Sequence, residues 1–209
     1  MSATPAAIAA PRVRRRVRPR LVGLVAALSV LAALVLSYVG SNVFASMRQR
    51  SLERRFDSAA AGWAKLDPLG RSSVAYAEGA PMARMSIAAI GLDAIVAEGA
   101  TPSVMRVAPA HLASSATPGE DGVSIVTANR FAFGSFFLRL DRLGVGDEIV
   151  MQSAIGRTTY TVVDVSVVPE DQLDLSADSS DRVLVLFASN RLWGGGDRLV
   201  VRALADVRR

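Results

Sequence analysis

The chain of 209 residues contains no cysteine and one histidine, His111. Without cysteine there is no disulfide framework, no thiolate metal site and no thiol nucleophile. A single imidazole excludes any mechanism that needs two. Cofactor motifs are missing as well. No Gly-x-Gly-x-x-Gly succeeds a strand-like run, and Gly194-Gly195-Gly196 lacks the Lys-Ser/Thr of a phosphate loop and precedes a strand rather than a helix. Asp141, Asp147 and Glu148 are too irregularly spaced for a cation loop and read as solvated turn acids. Neither a cofactor nor a metal is therefore expected. The chain does have a hydrophobic share of 51%, which excludes a disordered polymer, and a length that allows one or two domains.

Charge is absent from one long stretch and concentrated beside it. Residues 1–55 carry ten arginines and one acid, Glu53, so the net +5 of the whole chain divides into +9 there and −4 in the rest. The body is mildly acidic, which argues against a nucleic-acid partner, since that would need a basic stripe on the folded part. Between the arginines, Leu21–Phe44 runs 24 residues without a charge. At about 1.5 Å per residue it reaches about 36 Å, enough to cross a bilayer. It exceeds the roughly 7–15 apolar residues of a cleaved signal, despite a tolerable cleavage pattern at Val43-Phe44-Ala45. Six arginines precede it and four lie beyond it between 48 and 55, which favours a cytoplasmic N-terminus and a body outside. Small residues such as Gly23, Ala26 and Ala33 would also allow a partner helix to pack closely.

These patterns divide the chain into a basic cytoplasmic tail (1–20), a transmembrane helix (21–44), a juxtamembrane stalk and linker (45–81) and a β domain (82–209). Ser46–Lys65 has helical spacing, with Leu52, Phe56 and Trp63 near one face, while Pro68, Gly70, Gly79 and Pro81 break up residues 66–81 as a linker. Beyond residue 82, short β-branched runs alternate with turn signals: 83–88, 94–98, 123–128, 147–153, 158–168, 182–187 and 198–204. Helical signals are confined to 103–108 and 136–140. Seven or eight strands of this kind predict a β-barrel or sandwich.

Four segments in order, IAAIGLDAIVAEGAT (87–101), VAPAHLASSATPGEDGVSIVTANR (107–130), FGSFFLRLDRLGVGDEIV (133–150) and RVLVLFASNRLWGGGDRLVVRA (182–203), resemble the sortase family, in particular its actinobacterial class D/E type. The resemblance implies a sortase-like closed barrel of seven to eight strands behind a membrane anchor. It also implies a transpeptidase chemistry in which a Cys attacks the Thr–Gly bond of a sorting signal, assisted by a His and an Arg.

Carried over residue by residue, the family's His falls on Asn129, in Thr127-Ala128-Asn129-Arg130, and its Cys on Ser189, nine residues before Arg198. Arg198 alone is retained. A thiol with a pKa near 8.5 is partly ionised at neutral pH, whereas a Ser hydroxyl needs an adjacent base. Asn129 has no ionisable proton and cannot act as that base. His111, 18 residues before Asn129, matches a loop His of the family and reads as a hydrogen-bonded loop residue rather than a displaced base. Asp197 reads as the charge neighbour of Arg198.

The resemblance therefore implies a catalytically inactive, membrane-anchored, extracytoplasmic protein that acts as a binding or accessory subunit at the cell envelope. Its partners would be the plasma membrane and either a sorting-signal-like peptide or another membrane or envelope protein. The alternative is an active transpeptidase or hydrolase with Ser189 as nucleophile and Arg198 beside it.

Overall fold

The computed structural model describes residues 19–72, 74–173, 180–190 and 196–206. Most of the basic tail and Gly194-Gly195 lie outside these residues. The chain forms two compact units that divide at Ser37/Tyr38, inside one helix. That helix, α1 (Pro19–Trp63), has 45 residues. In the first unit its side chains face outward, with Leu24, Leu28, Leu31 and Val35 each more than half exposed. By length and composition α1 is the one helix among the described residues able to cross a membrane.

The second unit is a closed barrel with strand order β1-β2-β3-β4-β7-β8-β6-β5. Its strands are β1 (Pro81–Ile87), β2 (Leu92–Glu98), β3 (Ala110–His111), β4 (Gly122–Thr127), β5 (Glu148–Ser153), β6 (Gly156–Pro169), β7 (Arg182–Ser189) and β8 (Asp197–Ala205). Closure comes from β1 pairing with β5. It removes the free edges that would otherwise invite aggregation. Most neighbours are antiparallel, but β2–β3 and β4–β7 run parallel.

Side-chain alternation sorts the core. Along β7, Leu184, Leu186 and Ala188 point into the barrel, joining Met85, Val126, Met151, Tyr160 and Val201. Val183, Val185 and Phe187 point the other way and pack with Val123, Ile125 and Val200 in a second cluster. Burial of both faces explains why 123–128 is almost continuously apolar rather than alternating.

Residues 45–63 are the continuation of α1. Leu52 and Phe56 pack with Ile95, Ala97 and Ala110 on the outer face of β2 and β3. Buried Gln49 fixes this contact: its Nε2 donates to Ile95 O (3.0 Å) and Val107 O (3.1 Å), and its Oε1 accepts from Ile95 N (2.9 Å). Two further helices are single turns, α2 (Pro68–Ser72) and α3 (Pro102–Met105). The expected helix at 136–140 is instead a run of turns leading into a 3₁₀ turn at Leu140–Arg142. Its apolar residues are spaced for burial under the barrel end, and Phe137 and Leu140 are fully buried there.

Candidate functional site

The parallel pairing of β4 with β7 ends at Thr127↔Phe187. Asn129 and Ser189 each lie two residues further on, at the same end of neighbouring strands. On the other side of β7, Ser189 pairs directly with Arg198 of β8. Sheet topology therefore brings the three sequence-predicted positions to one stretch of the barrel rim, from segments up to 69 residues apart. All three residues are partly exposed.

Their hydrogen bonding describes a held surface. Asn129 Nδ2 donates to Met105 O at 2.7 Å, which turns its amide toward the end of α3. Arg198 Nη2 donates to Glu170 Oε1 at 2.5 Å. Its guanidinium charge is thus already compensated, in a pair only one quarter exposed on the Arg side. Asn190 N donates to Asp197 O at 3.1 Å, which continues the β7–β8 ladder one step past Ser189.

Arg130 is the residue that spacing alone does not single out. It is buried, and its Nη1 donates to Asn190 O at 3.1 Å while its Nη2 reaches Asp141 Oδ1 at 2.8 Å. Its Cζ lies 5.1 Å from the Phe131 ring centroid. One guanidinium thereby links the end of β4, the end of β7 and the 3₁₀ turn that carries Asp141, and sets the separation of Asn129 from Ser189. Asp141 is committed to this pair, and Asp147 accepts from Gly144 N at 2.9 Å in a turn. Among the described residues no three His, Asp or Glu side chains come together as a metal site.

His111 sits away from the rim. It pairs with Val126 on the flank of β4 opposite β7. At about 3.3 Å per residue and about 4.8 Å per strand, it is some two strands and about 10 Å along from Ser189. Both ring nitrogens have partners: Nδ1 meets Glu98 Oε2 and Nε2 meets Ala116 O, each at 2.9 Å. The ring is a buried tie between β2, β3 and the loop after β3. Elsewhere in the barrel, burial pushes the Tyr76 phenol up to about 12 and raises that of Tyr160, whose oxygen accepts from Gly119 N at 2.8 Å.

The closed barrel and its strand order define a class of fold. The sortase-domain profile matches residues 85–206, and the chain belongs to the sortase family. Among solved structures it is similar to the sortase D5 transpeptidase of Clostridium perfringens, with 20% identity, 77% of this chain and 97% of that one covered, and a TM-score of 0.63. Sortase E of Streptomyces avermitilis shares 25% identity over 63% of this chain and 91% of its own, with a TM-score of 0.54. Sortase C1 of Streptococcus agalactiae shares 26% identity over 68% and 76%, with a TM-score of 0.57. No curated protein matches the chain.

Proposed function

We propose that this sortase-family protein is a membrane-anchored binding or accessory subunit of the cell envelope, and that its barrel no longer performs transpeptidation. In this reading Ser189, Asn129 and Arg198 occupy the places of the family's Cys, His and Arg. The observation that carries it is the convergence of these residues on one rim in a chain with no thiol and with its single imidazole tied up elsewhere. A Ser hydroxyl is a poor nucleophile unless a base takes its proton, and the Asn129 amide can neither take nor return one. Loss of positioned acid–base catalysis alone costs about 10²–10⁴-fold in rate, before the weaker nucleophile is counted. The rim retains what a binder needs: polar side chains held by fixed partners at the mouth of a rigid barrel. A sorting-signal-like peptide or an envelope protein is the class of partner this surface suits.

The same reading divides the chain into a cytoplasmic tail (1–20), a transmembrane segment (21–44), a juxtamembrane segment (45–81) and an extracytoplasmic barrel (82–209). Protease added to intact cells is expected to digest the barrel, and a barrel protected until lysis would contradict that topology.

The second reading, an active enzyme with Ser189 as nucleophile, is favoured by the adjacency of Ser189 and Arg198 across the β7–β8 ladder. Purified full-length protein, incubated with a sorting-signal peptide beside its Ser189→Ala variant, separates the two. The binding reading expects identical background rates. Turnover that Ser189→Ala abolishes would establish the enzyme.

A further inference from the structure

A cavity of about 400 Å³ lies between α1 and the α3 turn, lined by Phe44, Arg48, Ser51, Arg55, Ser103 and Arg106 among others. Three arginines therefore surround one hollow. Arg48, Ser51 and Arg55 recur at the spacing of a single helix face, and Arg106 comes from the opposite wall at the end of α3. Among the described residues no ion pair includes Arg48, Arg55 or Arg106. The nearby carboxylate, Glu78, accepts from Thr101 Oγ1 at 2.7 Å. Two of the guanidiniums are set against aromatic faces: Arg48 Cζ lies 5.3 Å from the Phe44 centroid and Arg106 Cζ 5.6 Å from that of Phe133. Such stacking orients a cation while leaving its N–H groups open to an anion.

The cavity also has a particular place along α1. Phe44 closes the uncharged run and lines the hollow, and Arg48 comes one helical turn later, about 6 Å along the axis. Val39, Val43 and Phe44 are exposed just before it. The loop after β4 comes to the same level. Gly134 N donates to Asn42 Oδ1 at 3.0 Å, and Phe133, Gly134 and Ser135 all have positive φ. A Cβ on Gly134 would lie 2.6 Å from the Phe136 ring, so glycine is required for this strained turn to reach the helix.

We infer that the Arg48–Arg55–Arg106 cavity is a binding site for the phosphate of an anionic phospholipid headgroup in the adjoining membrane leaflet. Three guanidiniums and the Ser51 hydroxyl supply donors for the phosphate oxygens; the Ser103 hydroxyl is already committed to Thr101 Oγ1 at 2.8 Å. The apolar, exposed turn ending at Phe44 supplies the surface along which the lipid's acyl chains continue. The inference rests on α1 being the membrane anchor.

The test uses full-length protein reconstituted in vesicles of phosphatidylcholine with one-fifth phosphatidylglycerol, then extracted in mild detergent for native mass spectrometry. Wild type is expected to retain one phosphatidylglycerol. The R48Q/R55Q/R106Q variant, whose changes are all at exposed positions, is expected to retain about 10²-fold less, at about five-fold per arginine. The R50Q/R54Q variant removes two arginines that do not line the cavity and is expected to lower retention far less than the triple variant does. Equal retention by wild type and the triple variant, or an equal loss in both variants, would overturn the site. So would a phosphate adduct formed with inorganic phosphate in the absence of any lipid adduct, since that would assign the cavity to the free anion. Resistance of the reconstituted protein to carbonate extraction is read in parallel. Loss of that resistance would refute the anchor, whereas resistance without lipid retention would refute the headgroup site alone.

Discussion

Arg130 holds the rim together by touching three segments at once. Replacement by alanine removes the bond to the Asn190 carbonyl and strands Asp141, which is half exposed and so partly resolvated by water. The expected loss is about 2 kcal/mol of stability, read as a lower denaturant midpoint with an unchanged slope. Asp141→Asn is expected to cost about 1–2 kcal/mol, because the hydrogen bond survives in neutral form but the buried guanidinium loses its counter-charge. The buried tyrosines give a pH signature. With the Tyr76 phenol raised to about 12 by burial, the unfolded chain gives up its proton first as pH rises past its ordinary value of 10. The stabilising contribution is complete below pH 10 and is lost between 10 and about 12. Melting temperatures recorded across that interval should fall more steeply for wild type than for Tyr76→Phe. At this scale the sequence was only partly informative. Asn129, Ser189 and Arg198 could be picked out by resemblance, because each stands in a recognisable local context. Arg130 was visible only as the residue after Asn129. Its role depends on Asp141 and Asn190, from two distant segments that nothing local connects to it. Glu170, the partner of Arg198, was hidden in the same way by a separation of 28 residues.

Among the elements, the strands were legible wherever they are long. Runs of six or more β-branched and apolar residues leave a trace, alternating in β5 and β6 and nearly continuous in β4. Strand β3 has two residues, too few to show any period, and exists because its backbone is paired by β2 on one side and β4 on the other. The segment after the apolar run shows the complementary limit. Its helical spacing was apparent, but its attachment to the barrel depends on Gln49 bonding to backbone 46 residues away. That amide behaves as an added rung on β2. Gln49→Ala would leave Ile95 N–H, Ile95 O and Val107 O without those partners, the two on Ile95 being buried. The expected cost is about 2–4 kcal/mol. Hydrogen exchange at the Ile95 amide should accelerate, while amides of β7 and β8 keep their protection. Uniform acceleration through the barrel would show instead that α1 is integral to the global fold.

For the whole molecule, the barrel and the long apolar helix arise from two patterns that span many residues each, period-two alternation and an uncharged run. Both are robust to local detail, which is why the architecture was readable from sequence and the rim's bonding was not. Closure of eight strands places the ends of β4 and β7 and the start of β8 together, so substitutions at these rim positions act on the site and leave the scaffold in place. If the scaffold persists and catalysis fails only for want of two groups, restoring them should restore the reaction. The decisive quantity is turnover of a sorting-signal peptide by full-length wild type and by the Ser189→Cys/Asn129→His variant. Background rates are expected for wild type, with a gain of about 10²-fold or more when thiol and imidazole are restored. Wild-type turnover above background that Ser189→Ala abolishes would contradict the proposed loss of catalysis.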